Sequence, residues 1–209
     1  MFKNKKRIVL FLMVGVIIAI IIMLVVKYIN QSSLVYDDGV KFKDEYMNLN
    51  NVATEDGKKY PRVSISDENK IKYTSYDEIL DMFNNDGDGV IYFGYAKCLY
   101  CRSVVSVLVD AALDTEIDNI YYLDVEEKGE KYDELLTILG DNFIDTSNND
   151  RKIYSPLVMF VADGNIVSYN KGTLFSQEDP YVLLDASQIE GLKSIYVSGI
   201  NDVMDAMIG

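Results

Sequence analysis

The chain has 209 residues, 49% apolar and 25% charged, which suits a folded core and argues against a disordered chain. Four of its 20 bases precede residue 8 and all 33 acids follow residue 36, so the net charge of −13 becomes −17 beyond the leader (16 bases against 33 acids), a field that repels phosphate backbones and excludes nucleic-acid binding as an expected function. Histidine is absent and Cys98 and Cys101 are the only cysteines, which removes histidine-dependent nucleophile pairs, histidine or four-cysteine zinc sites and disulfide-rich scaffolds; no metal and no cofactor are expected.

Residues Ile8 to Val26 form 19 consecutive positions without a charge or strongly polar group. As a helix they would be about 28 Å long, close to the hydrocarbon thickness of a bilayer. A cleaved signal peptide usually has a shorter apolar region, about 7–15 residues, followed by small residues at its cleavage site. The sequence after Val26, KYINQSSLVYDD, has no such pattern, and a single-pass anchor over 8–26 is expected. Lys3, Lys5, Lys6 and Arg7 precede this segment, whereas only Lys27 closely follows it. The positive-inside rule therefore assigns residues 1–7 to the cytoplasm and the acidic remainder to the extracytoplasmic side of the cell membrane, where disulfides persist.

Residues 27–70 read as a stalk and N-terminal extension, with a mild helical pattern over Val40 to Leu49 and a short strand over Arg62 to Ile65. Ser75 and Glu78 have capping-box spacing and open a helix running to Phe83. The segment NNDGDG then breaks it; this segment imitates the start of a calcium loop, but Tyr95 stands where a bidentate glutamate is needed, and a plain turn is expected. VIYFG from Val90 is a buried-strand signature, followed by Cys98-Leu99-Tyr100-Cys101 and a helical stretch from Arg102. A strand over Asn119 to Val125, a helix over Tyr132 to Leu139 and a polar loop over Asp141 to Lys152 come next. Asp163-Gly164 between PLVMFVA and NIVSYN marks a hairpin, and Ser187 with Glu190 reads as the capping box of a terminal helix. Strand, crossover, strand and hairpin in this order predict an α/β domain over 71–209, a mixed sheet flanked by helices and preceded by one N-terminal transmembrane helix.

A C-x-x-C pair that follows a buried strand and opens a helix sits where unpaired N–H groups and the helix dipole stabilise thiolate. Lys97 and Arg102 are candidates for further lowering the Cys98 pKa. Cys98 is then the attacking sulfur and Cys101 the resolving one. The competing possibility is an inert staple, although a loop of four residues restrains little unfolded-chain entropy. Half a metal site is the other, and the chain lacks the soft ligands to complete it.

Pro156, Gly164 and Gly172 lie eight residues apart within SPLVMFVADGNIVSYNKG. Together with the placement of the cysteines, this spacing resembles the thioredoxin superfamily over about residues 75–209. The stretch IKYTSYDEIL…GVIYFGYAKCLYCR…IYYLDV is similar to membrane-anchored thioredoxin-like proteins of Gram-positive bacteria, some of them labelled bacteriocin transport accessory proteins. The resemblance implies a thioredoxin-like sheet, a cis peptide bond before Pro156, and a substrate site lined by Ser155 and Pro156. Tyr100, with Tyr95, would form its apolar rim. It also implies protein or peptide thiols and disulfides as partners, and no cofactor. Three departures stand out. Lys97 precedes the pair and Leu-Tyr fills it, Tyr92 occupies the position of a buried acid, and the segment between Val125 and Pro156 is longer than the minimal fold needs. A membrane-anchored extracytoplasmic thiol–disulfide oxidoreductase is the expected function, with the direction of electron flow open. The alternative is a binding or accessory module for a transporter or secreted peptide, its cysteines dispensable.

Overall fold

The computed structural model describes residues 18, 20–23, 38–147, 150–174 and 177–208. The tail 1–7, most of the expected anchor 8–26 and the start of the stalk lie outside the described residues; residues 18 and 20–23 are helical and exposed. Among the described residues no helix is long and apolar enough to cross a membrane.

A helix over 38–47, α1, precedes strand β1 (Ile71–Tyr73), helix α2 (Tyr76–Asn84), strand β2 (Gly89–Gly94) and helix α3 (Leu99–Leu113). Strand β3 (Ile120–Asp124) and helix α4 (Tyr132–Leu139) follow, then the two-residue strands β4 (Ile144–Asp145) and β5 (Lys152–Ile153). The hairpin β6 (Leu157–Ala162) and β7 (Asn165–Lys171) and helix α5 (Ala186–Ile208) complete the chain. Five strands form one sheet in the order β1-β3-β2-β6-β7. The first three are parallel, and β6 and β7 run antiparallel to their neighbours.

The period-two alternation of the central strands divides the core in two. Val90 and Tyr92 of β2, with Val158 and Phe160 of β6, face the layer that contains α1, α3 and α5. Ile91, Phe93, Leu157, Met159 and Val161 face α2 and α4. Helix α5 lays Leu192, Tyr196, Ile200 and Val203 on the sheet, each 0% exposed. Burial of such side chains stabilises the fold by roughly 1.5–3 kcal/mol each relative to exposure. The helix approaches so closely at Gly199 that a Cβ there would lie 2.5 Å from the Phe160 ring. Asp163 and Gly164, at φ 49° and 67°, make the β6–β7 turn with two positive-φ residues, the geometry that matches strand twist.

Four local expectations need correction. No strand forms over Arg62 to Ile65; Val63 and Ile65 are buried, but the Asn50 side chain bonds both the Val63 N–H and its carbonyl at 2.9 Å and so satisfies them outside a ladder. The first strand is Ile71–Tyr73, paired with β3. The loop Asp141 to Lys152 contains a 3-10 turn and the small β4–β5 sheet. Helix α5 is capped by Asp185 and Gln188, whose side chains each accept the other's backbone N–H, two residues before the predicted box. The Ser75–Glu78 box forms as expected.

The extension is part of the folded unit. Phe42 and Tyr46, one turn apart on α1, are both 0% exposed and pack against Tyr92 and Tyr122 of the sheet. The core thus begins upstream of the boundary expected at residue 71.

Candidate active site around Cys98 and Cys101

Helix α3 starts at Leu99, three residues before the sequence pattern suggested, because Cys98 is its N-cap. The Cys98 backbone is extended (φ −67°, ψ 117°) and its sulfur accepts the Cys101 N–H at 3.2 Å, the part a serine or aspartate usually plays. Both thiols are free. The Cys98 thiol is held below its ordinary pKa, first by the hydrogen bond from the Cys101 side chain. Burial opposes this, and the Cys101 and Tyr100 backbone N–H groups and Ser155 assist it. Cys101 is fully buried and its thiol is pushed well up, first by burial and then by the hydrogen bond and charge of Cys98. One sulfur is therefore poised as a nucleophile and the other is stored as thiol.

The Ser155–Pro156 peptide bond is cis. The Ser155 carbonyl lies 3.9 Å from the Cys98 sulfur, and the Pro156 carbonyl accepts the Gly172 N–H at 2.8 Å, which ties the segment to the end of β7. The three residues with eight-residue spacing thus have separate places: beside the cysteines, in the hairpin turn, and closing the last strand. A parallel β1/β3/β2 unit, an antiparallel hairpin on its edge, and the cysteines at the helix that follows the central strand complete the arrangement. The fold is thioredoxin-like. The chain is similar to the crystal structure of thioredoxin O2 from Arabidopsis thaliana in its oxidised state, at 18% identity and a TM-score of 0.38, over 61% of this chain and 91% of that one. No protein-family model and no curated protein matches the sequence.

In this thioredoxin-like domain a cleft of about 640 Å³ opens over Cys98. Tyr95, Tyr100 and Ser155 line it, with Tyr100 37% exposed, so these sequence candidates do converge. Burial and the charge of Cys98 push the Tyr95 hydroxyl up to about 12, which keeps it a neutral donor. The far wall is the long segment after Val125: Asp145 of β4, Lys152 and Ile153 of β5, and Tyr154. The Ile153 N–H donates to the Tyr132 hydroxyl at 2.7 Å and the Tyr154 N–H to the Phe143 carbonyl at 2.8 Å, so this wall is braced on α4 and the 3-10 turn.

Lys97 and Arg102 are placed differently from the expectation. Lys97 borders the cleft, but its ammonium is paired with Glu126 at 2.7 Å on the rim, which cancels much of its field at Cys98. Arg102 is 1% exposed and turned to the extension. Its guanidinium donates to the carbonyls of Pro61 (2.8 and 2.9 Å), Tyr46 (2.8 Å) and Ala96 (3.2 Å) and to the Asn50 side chain (2.7 Å). It is a clamp between α3, α1 and the residues just before Cys98, with its donors spent on oxygens.

Sequence reasoning missed Tyr46. Its hydroxyl lies 3.0 Å from that of Tyr92, and both are buried beneath Cys101 in the same core layer. The signal was the i, i+4 pair Phe42 and Tyr46 within a weak helical pattern. Glu126 and Asp124 at the end of β3 were also passed over; they lie among many acids, and their sequence context does not separate them from the rest.

Proposed function

We propose that this protein is a thiol–disulfide oxidoreductase, anchored in the cell membrane by residues 8–26 with residues 27–209 on the extracytoplasmic side. The observation that carries the redox part is the paired, opposite perturbation of two thiols one helical turn apart, one capping a helix beneath an open cleft and one buried behind it. The 19-residue apolar run and the four bases before it support the anchor and its orientation. Substrates are proteins or peptides with accessible disulfides or thiols.

In the direction that reduces a substrate, the Cys98 thiolate attacks one sulfur of the substrate disulfide, and a Cys98–substrate bond forms as the other substrate sulfur leaves and takes up a proton. Cys101 then loses its proton and attacks the Cys98 sulfur. The Cys98–Cys101 bond forms, the second substrate sulfur leaves and is protonated, and two electrons have passed to the substrate. The reverse sequence oxidises a dithiol. A lowered Cys98 pKa stabilises the reduced pair and favours that reverse direction.

The test is trapping in cells. Cys101→Ala is expected to accumulate disulfide-linked adducts that dissolve under reductant, whereas Cys98→Ala is expected to form none. Equal adducts from both variants, or none from either, would overturn the assignment of attacking and resolving sulfurs.

A further inference from the structure

Once the mixed disulfide has formed, Cys101 must release a proton from a site with 0% exposure. The Cys98 sulfur is covalently occupied at that moment and cannot take it. The chain has no histidine, and the residue that shares the core layer with Cys101 near the end of β2 is Tyr92. Resting on the redox reading above, we propose that three buried tyrosine hydroxyls, Tyr92, Tyr46 and Tyr122, relay the Cys101 proton to Asp124 at the surface, with α1 supplying the middle member.

The hydroxyls lie in a file between Cys101 and the end of β3. The Tyr92 hydroxyl is close to the Cys101 sulfur and lies 3.0 Å from the Tyr46 hydroxyl. Tyr122 lies beside Tyr46, and its hydroxyl donates to Asp124 Oδ2 at 3.5 Å, a long link. The rings of Tyr92 and Tyr122 stack at 5.5 Å, and Phe42 meets both edge-on, at 6.4 and 4.8 Å, so the file is held by packing. Gly94 adds a constraint: a Cβ there would lie 2.5 Å from the Tyr92 hydroxyl, so only glycine leaves room for that hydroxyl beneath the active-site loop.

The three hydroxyls are suited to pass a proton and not to keep one. Burial pushes each of them up from its ordinary value, so a tyrosinate is not a resting state. Asp124 is the acceptor at the end. Its carboxyl is pushed up, first by burial, with Glu126 and Glu127 adding to the rise, which makes it a stronger base than an ordinary surface carboxylate. As Cys101 gives its proton to Tyr92, Tyr92 passes its own to Tyr46, Tyr46 to Tyr122 and Tyr122 to Asp124, which releases it to water. Each tyrosine ends neutral, and the electron pair left on the Cys101 sulfur makes the new bond to Cys98. Tyr92 touches the reacting sulfur and is catalytic in this sense; Tyr46, Tyr122 and Asp124 act through it.

The experiment follows the full reduced chain, solubilised in detergent, after rapid mixing with the chromogenic disulfide dithiobis(nitrobenzoate). The first thionitrobenzoate released reports attack by Cys98, and the second reports resolution by Cys101. Tyr46→Phe and Asp124→Asn are expected to leave the first phase within about twofold of the parent and to slow the second by about tenfold or more, as loss of a proton-transfer group does. Asp124→Glu is expected to restore the second phase, and its solvent deuterium isotope effect should exceed that of the first. Asp124 is at the surface, so its variant serves where Tyr46→Phe disturbs packing. If the parent shows both phases and both variants match it, the Cys101 proton leaves by a route that does not use these groups; the relay is then overturned and the redox reading stands. If the parent releases nothing, both fall.

Discussion

Two thiols one helical turn apart titrate in opposite directions because one caps the helix and the other lies inside it. The Cys98 sulfur receives the Cys101 thiol and backbone N–H groups as donors, and each bond favours thiolate. Cys101 has burial and a neighbouring negative sulfur against it. Alkylation of Cys98 by iodoacetamide should therefore show a pH midpoint below about 8.5, the value of a free cysteine, while Cys101 stays unmodified in the native protein. Since the Cys101 thiol is the first cause of the lowering, Cys101→Ala should move the Cys98 midpoint upward; a midpoint unchanged by that substitution would assign the effect to the backbone alone. The placement of the cysteines between a buried strand and a helix was legible from local pattern, whereas Ser155 and Pro156 followed from the resemblance. The roles of Lys97 and Arg102 were not legible, because whether a cation beside a helix start points at the thiol or away from it is decided by partners 29 and 41 residues distant, Glu126 and Pro61.

At the scale of elements, α1 and the segment that follows it form one side of the cysteine site. Arg102 fastens them through the Pro61 and Tyr46 carbonyls, and Ser106, one turn further along α3, donates to the Ser64 carbonyl at 2.9 Å. Replacing Arg102 by Met keeps the stem's packing and leaves those buried carbonyls without donors. The expected loss is about 2–3 kcal/mol, partly offset by relief of guanidinium desolvation, and thermal or urea unfolding measures it. A variant as stable as the parent would show that water replaces the clamp. The same elements show where sequence patterns stop. The α2 cap was legible because Ser75 and Glu78 had no rival. At α5 both Asp185 with Gln188 and Ser187 with Glu190 satisfy the capping pattern, and only the position of the first helical turn selects between them. RVSI and IKY are both plausible short strands, and the Asn50 side chain decides the matter by occupying the Val63 backbone. The continuous apolar runs of β2 and β6 were readable as buried strands, and the Asp163-Gly164 turn set β7 as the partner of β6.

Across the whole molecule, an acidic domain follows an apolar, base-led N-terminal segment, and a cleft above a pair of sulfurs is walled by the insertion after β3. The succession β2, β3, β6 and β7 was legible because each of these strands carries its own pattern; β1 and the small β4–β5 sheet were not. The contribution of 38–66 to the core was not, since Phe42, Tyr46, Val63 and Ile65 are scattered among polar residues and find one another only through the sheet. The central claim is that the Cys98–Cys101 pair exchanges electrons, and titration of the full chain against a series of glutathione redox buffers tests it most directly. A lowered Cys98 pKa predicts reversible two-electron exchange at a potential above the roughly −270 mV of thioredoxin, in or near the range of about −120 to −180 mV that disulfide oxidants and isomerases occupy. A pair that neither reduces nor exchanges across the whole series would contradict the account.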